Sequence, residues 1–246
     1  MNRTNARTAI VTGASRGIGA AVAARLAADG FNVVINYSSD ATPAEALARR
    51  LEHEGRRALS VKADVRDPLA VRYLFDAAEA TFGGVDVLVN NAGVMAMKTI
   101  ADTDDETFAR QVDINLKGTF HALREAAGRL REGGRIVNFS STTVGLRQPL
   151  YGVYVATKAA VEMLTSVLSK ELRGRSITVN AVAPGPTATD LFFAGKSQEM
   201  IDRMVAMSPL ERLGQPDDIA AAVSFLVGPD GAWVDGQTLR VNGGIV

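Results

Sequence analysis

With 246 residues, 47% of them hydrophobic, the chain has the material for one large α/β domain rather than two small ones. Its 27 basic residues balance 27 acidic ones with no long run of either sign, so the electrostatic footprint of a nucleic-acid binder is missing. The lack of cysteine excludes disulfides, thiolate nucleophiles and cysteine-ligated zinc, and His53 and His121 stand too far apart in sequence to suggest a metal site.

The chain begins Met1-Asn2-Arg3-Thr4-Asn5 and runs almost at once into the apolar segment 8–12, too short for the core of a signal peptide. Nowhere does it hold the ~20 apolar residues of a membrane span, and the expectation is a soluble, cytoplasmic protein. A strand over 9–12 passes into a glycine loop and a helix over 17–28. Such a loop leaves bare backbone where a strand meets a helix N-terminus, an arrangement suited to a pyrophosphate. Gly13 would permit the tight turn, Gly17 the close approach of a ligand, and Gly19 close helix–strand contact. The spacing Gly13-x-x-x-Gly17-x-Gly19 departs from G-x-G-x-x-G, and glycines that merely turn the chain are the alternative reading.

The second strand, 32–36, runs into Tyr37, Ser38 and Ser39. An NAD site usually carries an acid about 20 residues after the glycine loop, where it grips the ribose hydroxyls. Here the position is neutral, while Arg16 sits inside the loop. A guanidinium with nearby hydroxyls at Ser38 and Ser39 suits a 2′-phosphate, which favours NADP(H) over NAD(H) unless Arg16 is simply solvated.

A helix over 43–54, a strand over 58–62, a helix over 69–81 and a strand over 85–89 follow, with Gly83-Gly84 as a left-handed helix stop. A helix over 106–130 opens at Asp104-Asp105-Glu106, where negative charge suits a helix N-terminus, and Gly133-Gly134 ends it. The strand over 135–140 then delivers Ser140 and Ser141 to the ligand-binding edge of the sheet, where a hydroxyl can meet a substrate oxygen as charge develops. On a helix over 150–172, Tyr154 and Lys158 lie at i and i+4 and share one face. A free tyrosine has a pKa near 10, and an adjacent ammonium and a bound, positively charged oxidised nicotinamide would both favour its phenolate, an arrangement suited to moving a proton. Tyr151 is an alternative phenol without a lysine four residues on.

A strand over 177–182 leads into the wandering segment 187–214, whose Leu191, Phe192, Phe193, Met200, Met204 and Met207 need a cover. We read it as a substrate lid. A helix over 216–227 opens at Gln215-Pro216-Asp217-Asp218, and a last strand spans 238–241. Several strands are continuous apolar runs, which indicates burial on both faces. Strands separated by helices imply right-handed crossovers. The expected fold is therefore a single-domain Rossmann fold over 1–246, with a doubly wound, seven-stranded parallel sheet and helices on both faces.

The ordered set Thr12-Gly13-Ala14-Ser15-Arg16-Gly17-Ile18-Gly19, Asp64-Val65, Asn90-Asn91-Ala92-Gly93, Asn115, Ser141, Tyr154 with Lys158, and Pro184-Gly185 with Thr189 resembles the short-chain dehydrogenase/reductase family over essentially the whole chain. The resemblance implies a role for each position. Ser141, thirteen residues before Tyr154, has the spacing of the family's catalytic serine, and Ser140 becomes second choice. Tyr154 would be the acid in reduction and the base in oxidation. Lys158 would hold the nicotinamide ribose and lower the tyrosine pKa, and Asn115, inside the fourth helix, would anchor a water beside it. Gly13, Ser15, Arg16, Gly17, Ile18 and Gly19 would cradle the cofactor, with Tyr37 and Ser38 beside them. Asp64 and Val65 would touch its adenine, and Asn91, Ala92 and Gly93 would line it. Pro184, Gly185, Thr187 and Thr189 would meet the carboxamide and pyrophosphate end.

The resemblance extends to NADPH-dependent aldehyde and ketone reductases and to 3-oxoacyl-carrier-protein reductases. We rank a small aldehyde or ketone first, an acyl-carrier substrate second and sugar or polyol oxidation third. Arg129, Arg131 and Arg147 are scattered and form no basic patch for a carrier protein. A dinucleotide sensor or a nucleotide-sugar lyase or epimerase would lie outside this class. A homo-oligomer is expected, a tetramer or a dimer, built on the fourth and fifth helices and the C-terminal segment. Asn242 stands where an acid is commoner in the family, a change expected to affect a subunit contact rather than chemistry.

Overall fold

The computed structural model describes residues 6–246; the expectation of no leader sequence rests partly on residues 1–5, which lie outside the described residues. Seven strands form one parallel sheet: β1 Thr8–Val11, β2 Asn32–Tyr37, β3 Ala58–Lys62, β4 Val85–Asn90, β5 Leu130–Phe139, β6 Thr178–Pro184 and β7 Thr238–Val241. Their order is β3-β2-β1-β4-β5-β6-β7, all pairs parallel. Every residue of β1 and β4 is buried, as continuous apolar runs demand of strands covered on both faces.

One core lies beneath α1 Gly17–Ala28, α2 Thr42–His53 and α10 Pro216–Val227, with Val22, Leu26, Leu51 and Ile219 packed on Val11, Val33 and Val89. The opposite core lies beneath α3 Pro68–Phe82, α5 Gly118–Arg129 and α7 Gly152–Glu171, where Leu74, Phe75, Ala122 and Leu168 meet Ile10, Leu88 and Ile136. The doubly wound single-domain fold is thus as expected. The chain reverses its winding between β1 and β4, and the crevice outside the carboxyl ends of those strands is where open α/β sheets take ligands.

Helix punctuation follows the chemistry of the ends. Gly83 closes α3 at φ 84°. The Asp104 carboxylate accepts the Thr107 N–H at 2.7 Å and caps α4, Asp105–Gln111. Asp218 accepts the Gln215 N–H at 2.7 Å at the head of α10.

Three departures concern the site. The helix expected over 106–130 is α4, a π-helical turn over Val112–Lys117, and α5. Apolar periodicity does not register the extra residue of a π turn, which puts Asn115 in that turn rather than inside a regular helix. The helix stops at Arg129 with Leu130 already extended, so Gly133 and Gly134 belong to the irregular start of β5 and do not cap it. Segment 187–214 contains α8 Asp190–Phe193 and α9 Gln198–Ala206, and a short α6 spans Thr143–Leu146. Among the described residues no helix is long and apolar enough to cross a membrane, and no cluster of His, Asp and Glu could hold a metal ion.

Candidate active site

The crevice is fastened across the switch point by side chains bound to backbone. Thr12 Oγ1 accepts the N–H groups of Asn91 and Ala92 at 3.0 and 3.1 Å. The Asn91 amide donates back to the carbonyls of Thr12 and Gly13 at 2.9 and 3.0 Å. On the other side, Asn36 Oδ1 accepts the Gly13 N–H at 3.1 Å while its Nδ2 donates to the Ala63 carbonyl at 2.9 Å. The neutral residue at the end of β2 therefore holds the glycine loop. Asn36 and the clamping role of Asn91 are not visible in sequence, because each partner lies more than twenty residues away.

The glycines are needed where they stand. Gly13 has φ 62°, and a Cβ there would lie 2.9 Å from the Ala92 backbone. A Cβ on Gly19 would come within 2.5 Å of both Asn91 Nδ2 and the Gly13 carbonyl, so the expected close approach is to the end of β4 and to the loop itself. Gly17, at φ 57°, has only the Thr189 side chain nearby. The first turn of α1 carries no acid, so its free N–H groups and positive dipole end meet the groove unopposed, which suits a diphosphate.

Gly13, Ser15, Arg16, Gly17, Ile18, Gly19, Ser38, Asp64, Val65, Asn91, Ala92 and Gly93 all line this groove. Tyr37 does not; it ends β2 opposite Lys62, and its carbonyl accepts the Ala63 N–H. Arg16 is exposed at the rim. Asp64 is bound to Arg66 at 2.6 Å, whose hydrogen bond holds the carboxyl below its ordinary value. Arg66 and Arg110 also line the groove and were not anticipated.

A second cavity adjoins the first, sharing Ile18, Asn91, Gly93, Thr189 and Leu191 as wall. Ser141, Tyr154 and Lys158 line it, together with Pro184, Gly185 and Thr187. Tyr154 is in the first turn of α7 and Lys158 one turn on, its ammonium 5.8 Å from the centre of the tyrosine ring. Lys158 is 4% exposed and donates to the Phe139 carbonyl at 2.8 Å. Burial lowers its pKa to about 8. Burial pushes the Tyr154 hydroxyl upward, opposed by a hydrogen bond with Ser141.

Ser141 does not end β5, which stops at Phe139; it lies two residues beyond, ahead of α6. Its Oγ accepts from the Thr143 hydroxyl at 2.9 Å and from the Thr143 N–H at 3.3 Å. With its acceptor side so occupied, its own proton is directed to Tyr154 or to a substrate oxygen. Ser140, the competing serine, is buried and donates to Glu162 at 2.5 Å. Tyr151 turns its hydroxyl to the Met97 sulfur at 3.6 Å. Asn115 is fully buried, accepting the Val94 N–H at 2.8 Å and donating to the Val94 carbonyl and to Thr157. It is not bonded to Lys158; Gly93 lies next to both groups.

Much of the remaining wall is apolar, from Leu146, Tyr151, Leu191, Phe192, Met204, Met207 and Ile245, with Gln148 and Lys196 among its polar members. Segment 187–214 is pinned at its base, where Ala188 N–H donates to Gly214 and Gly214 N–H to Pro186, both at 2.9 Å. The C-terminal residues fold back onto the site. Asn242 packs where a Cβ on Gly185 would stand and donates to the Val246 carbonyl at 3.1 Å, while Ile245 enters the cavity.

A family model described as enoyl-(acyl carrier protein) reductase matches residues 13–246. A short-chain type dehydrogenase/reductase from Picea abies is 50% identical, over 98% of this chain and 92% of that protein. An NADPH-dependent aldehyde reductase-like chloroplastic protein of Arabidopsis thaliana is 46% identical, over 98% and 94%. The crystal structure of a short chain dehydrogenase from Burkholderia cenocepacia in complex with NADP superimposes with a TM-score of 0.93 at 40% identity, covering 99% of each chain.

Proposed function

The chain belongs to the short-chain dehydrogenase/reductase family and is an oxidoreductase; from that premise we propose that it reduces an aldehyde or ketone to the alcohol with NADPH. The observation that carries the reading is the common wall of the two cavities, which sets Ser141, Tyr154 and Lys158 beside the glycine-loop groove. The preference for NADPH is supported by the exposed Arg16 at the groove rim, by the neutral end of β2, and by the relatives and solved structures named for NADPH or NADP.

When bound, the dinucleotide supplies the hydride. The protein's own groups position and protonate. The α1 N-terminus and the loop from Gly13 to Gly19 hold the diphosphate, Arg16 and Ser38 the phosphate at the ribose end, and Asp64 and Val65 the adenine. In the second cavity, Ser141 donates a hydrogen bond to the carbonyl oxygen and keeps its proton, held in that orientation by Thr143. Tyr154, kept as the neutral phenol at neutral pH by its burial, gives its proton to the same oxygen. Lys158, presented by the Phe139 carbonyl, places a positive charge beside the phenolate that results. Asn115 holds the backbone at Val94 and so the floor beneath Gly93 and Lys158.

The apolar walls favour a hydrophobic carbonyl compound over a sugar or polyol. An acyl-carrier substrate is ranked lower on a specific ground. Arg129 is already bound by Asp76, Glu79 and Glu125, and Arg131 by Asp86, so neither is spare for an acidic carrier protein. Segment 187–214 serves as the lid, hinged where Thr187 and Gly214 pair. A homotetramer is supported by exposed Phe108, Phe120, Met163 and Val167 on α4, α5 and α7, and by Phe225 and Trp233 near the C-terminal segment. The test is oxidation of NADPH and NADH over a panel of aldehydes and ketones. Turnover faster with NADPH is the expected result; no carbonyl-dependent oxidation of either nucleotide would defeat the reading.

A further inference from the structure

The substrate cavity holds a charged group for which the reaction has no use. Its lining includes two cations, Lys158 and Lys196, and no acid among the described residues. Lys158 is committed to the Phe139 carbonyl. Lys196 stands between α8 and α9, directly after Gly195, whose φ of 72° lets the chain double back over the end of α8. Its ammonium donates to the Phe192 carbonyl at 2.6 Å and lies 4.8 Å from the centre of the Phe192 ring. An ammonium has three donors, so two are left over.

Of the carboxylates nearest in sequence, Asp190 lines the coenzyme groove and not this cavity, and the other two are engaged elsewhere. Glu199 pairs with Arg203 at 2.5 Å, and Asp202 accepts from Gln198 at 2.8 Å. A half-buried ammonium in an apolar wall without a counter-ion is costly, and burial alone lowers its pKa. Such a site is stabilised by an arriving anion. That anion is not the dinucleotide's diphosphate, because Lys196 lines only the substrate cavity, whereas Thr189 and Leu191 line both.

We infer that Lys196 recognises a carboxylate on the substrate, so that the pocket selects aldehydes or ketones with an apolar body and an acidic group facing the lid. The inference rests on the reading of the chain as a carbonyl reductase and adds the substrate's charge.

The test uses the purified full-length enzyme with NADPH and aldehyde pairs of matched shape, such as 4-carboxybenzaldehyde and its methyl ester. The ratio of kcat/KM for acid over ester is measured in the wild type, Lys196→Met and Lys196→Arg. A charge-assisted contact predicts a ratio about tenfold higher in the wild type than in Lys196→Met, with Lys196→Arg recovering much of it. Equal ratios in the wild type and Lys196→Met overturn the proposal. So does an unaltered ratio accompanied by a raised KM for NADPH, which would give the ammonium to the coenzyme. If the wild type oxidises NADPH with no aldehyde or ketone at all, the carbonyl-reductase reading fails and the proposal falls with it.

Discussion

The coenzyme groove and segment 187–214 meet at the common wall of the two cavities, yet they are built in opposite ways. The groove is made of main chain: a glycine loop whose carbonyls and N–H groups are tied by Thr12, Asn36 and Asn91 to the ends of β1, β2 and β4. Segment 187–214 offers side chains, with Phe192 on α8, Met204 on α9 and Lys196 and Met207 just outside those helices, attached to the body through the pairing at Thr187 and Gly214. Buried backbone with its hydrogen bonds made is expensive to alter, so one groove serves whatever enters the pocket. Half-exposed side chains on a pinned segment change at little cost to the fold. On the proposed function, specificity falls to segment 187–214 and proton transfer to Tyr154 on α7, with Ser141 just beyond β5.

The comparison breaks most readily at Gly19. A valine there would drive its Cβ into the Asn91 amide and the Gly13 carbonyl, so Gly19→Val is expected to lose about 1–3 kcal/mol of stability and weaken NADPH binding by about 100-fold or more. Thermal melting and fluorescence titration would measure both; wild-type affinity would mean that the groove yields. At the rim the effect is smaller. Arg16→Ala should raise the KM for NADPH about tenfold while leaving that for NADH nearly unchanged, since one charge-assisted contact is lost. Equal losses for both nucleotides would move Arg16 from the 2′-phosphate to the diphosphate. The smallest effect on the fold belongs to the lid. Phe192→Ala should cost under about 1 kcal/mol in stability yet reorder kcat/KM across a carbonyl panel. A fall in Tm as large as that of Gly19→Val would place Phe192 in the core and erase the contrast.

What could be read from sequence follows the same division. The glycine loop declares itself because positive φ and close approach leave no other residue type, and the strands because both faces are buried. Tyr154 and Lys158 share a face because four residues make about one turn. The features missed depend on contacts distant in sequence. The π turn at Asn115, the Asn36 strut and the fold-back of Ile245 leave no local pattern. Thr143 left only a run of hydroxyl residues after Ser141, whose order of donation needs coordinates. The burial that raises the Tyr154 pKa is likewise illegible in sequence, whereas its charged neighbour is not.

The account turns on proton delivery by Tyr154. The most direct measurement is single-turnover reduction by Tyr154→Phe with bound NADPH, with nucleotide affinity determined in parallel. Loss of a general acid predicts a rate lower by about 1000-fold with affinity for NADPH within about twofold of the wild type. A rate close to that of the wild type would contradict the assignment and leave the proton to another group in the pocket.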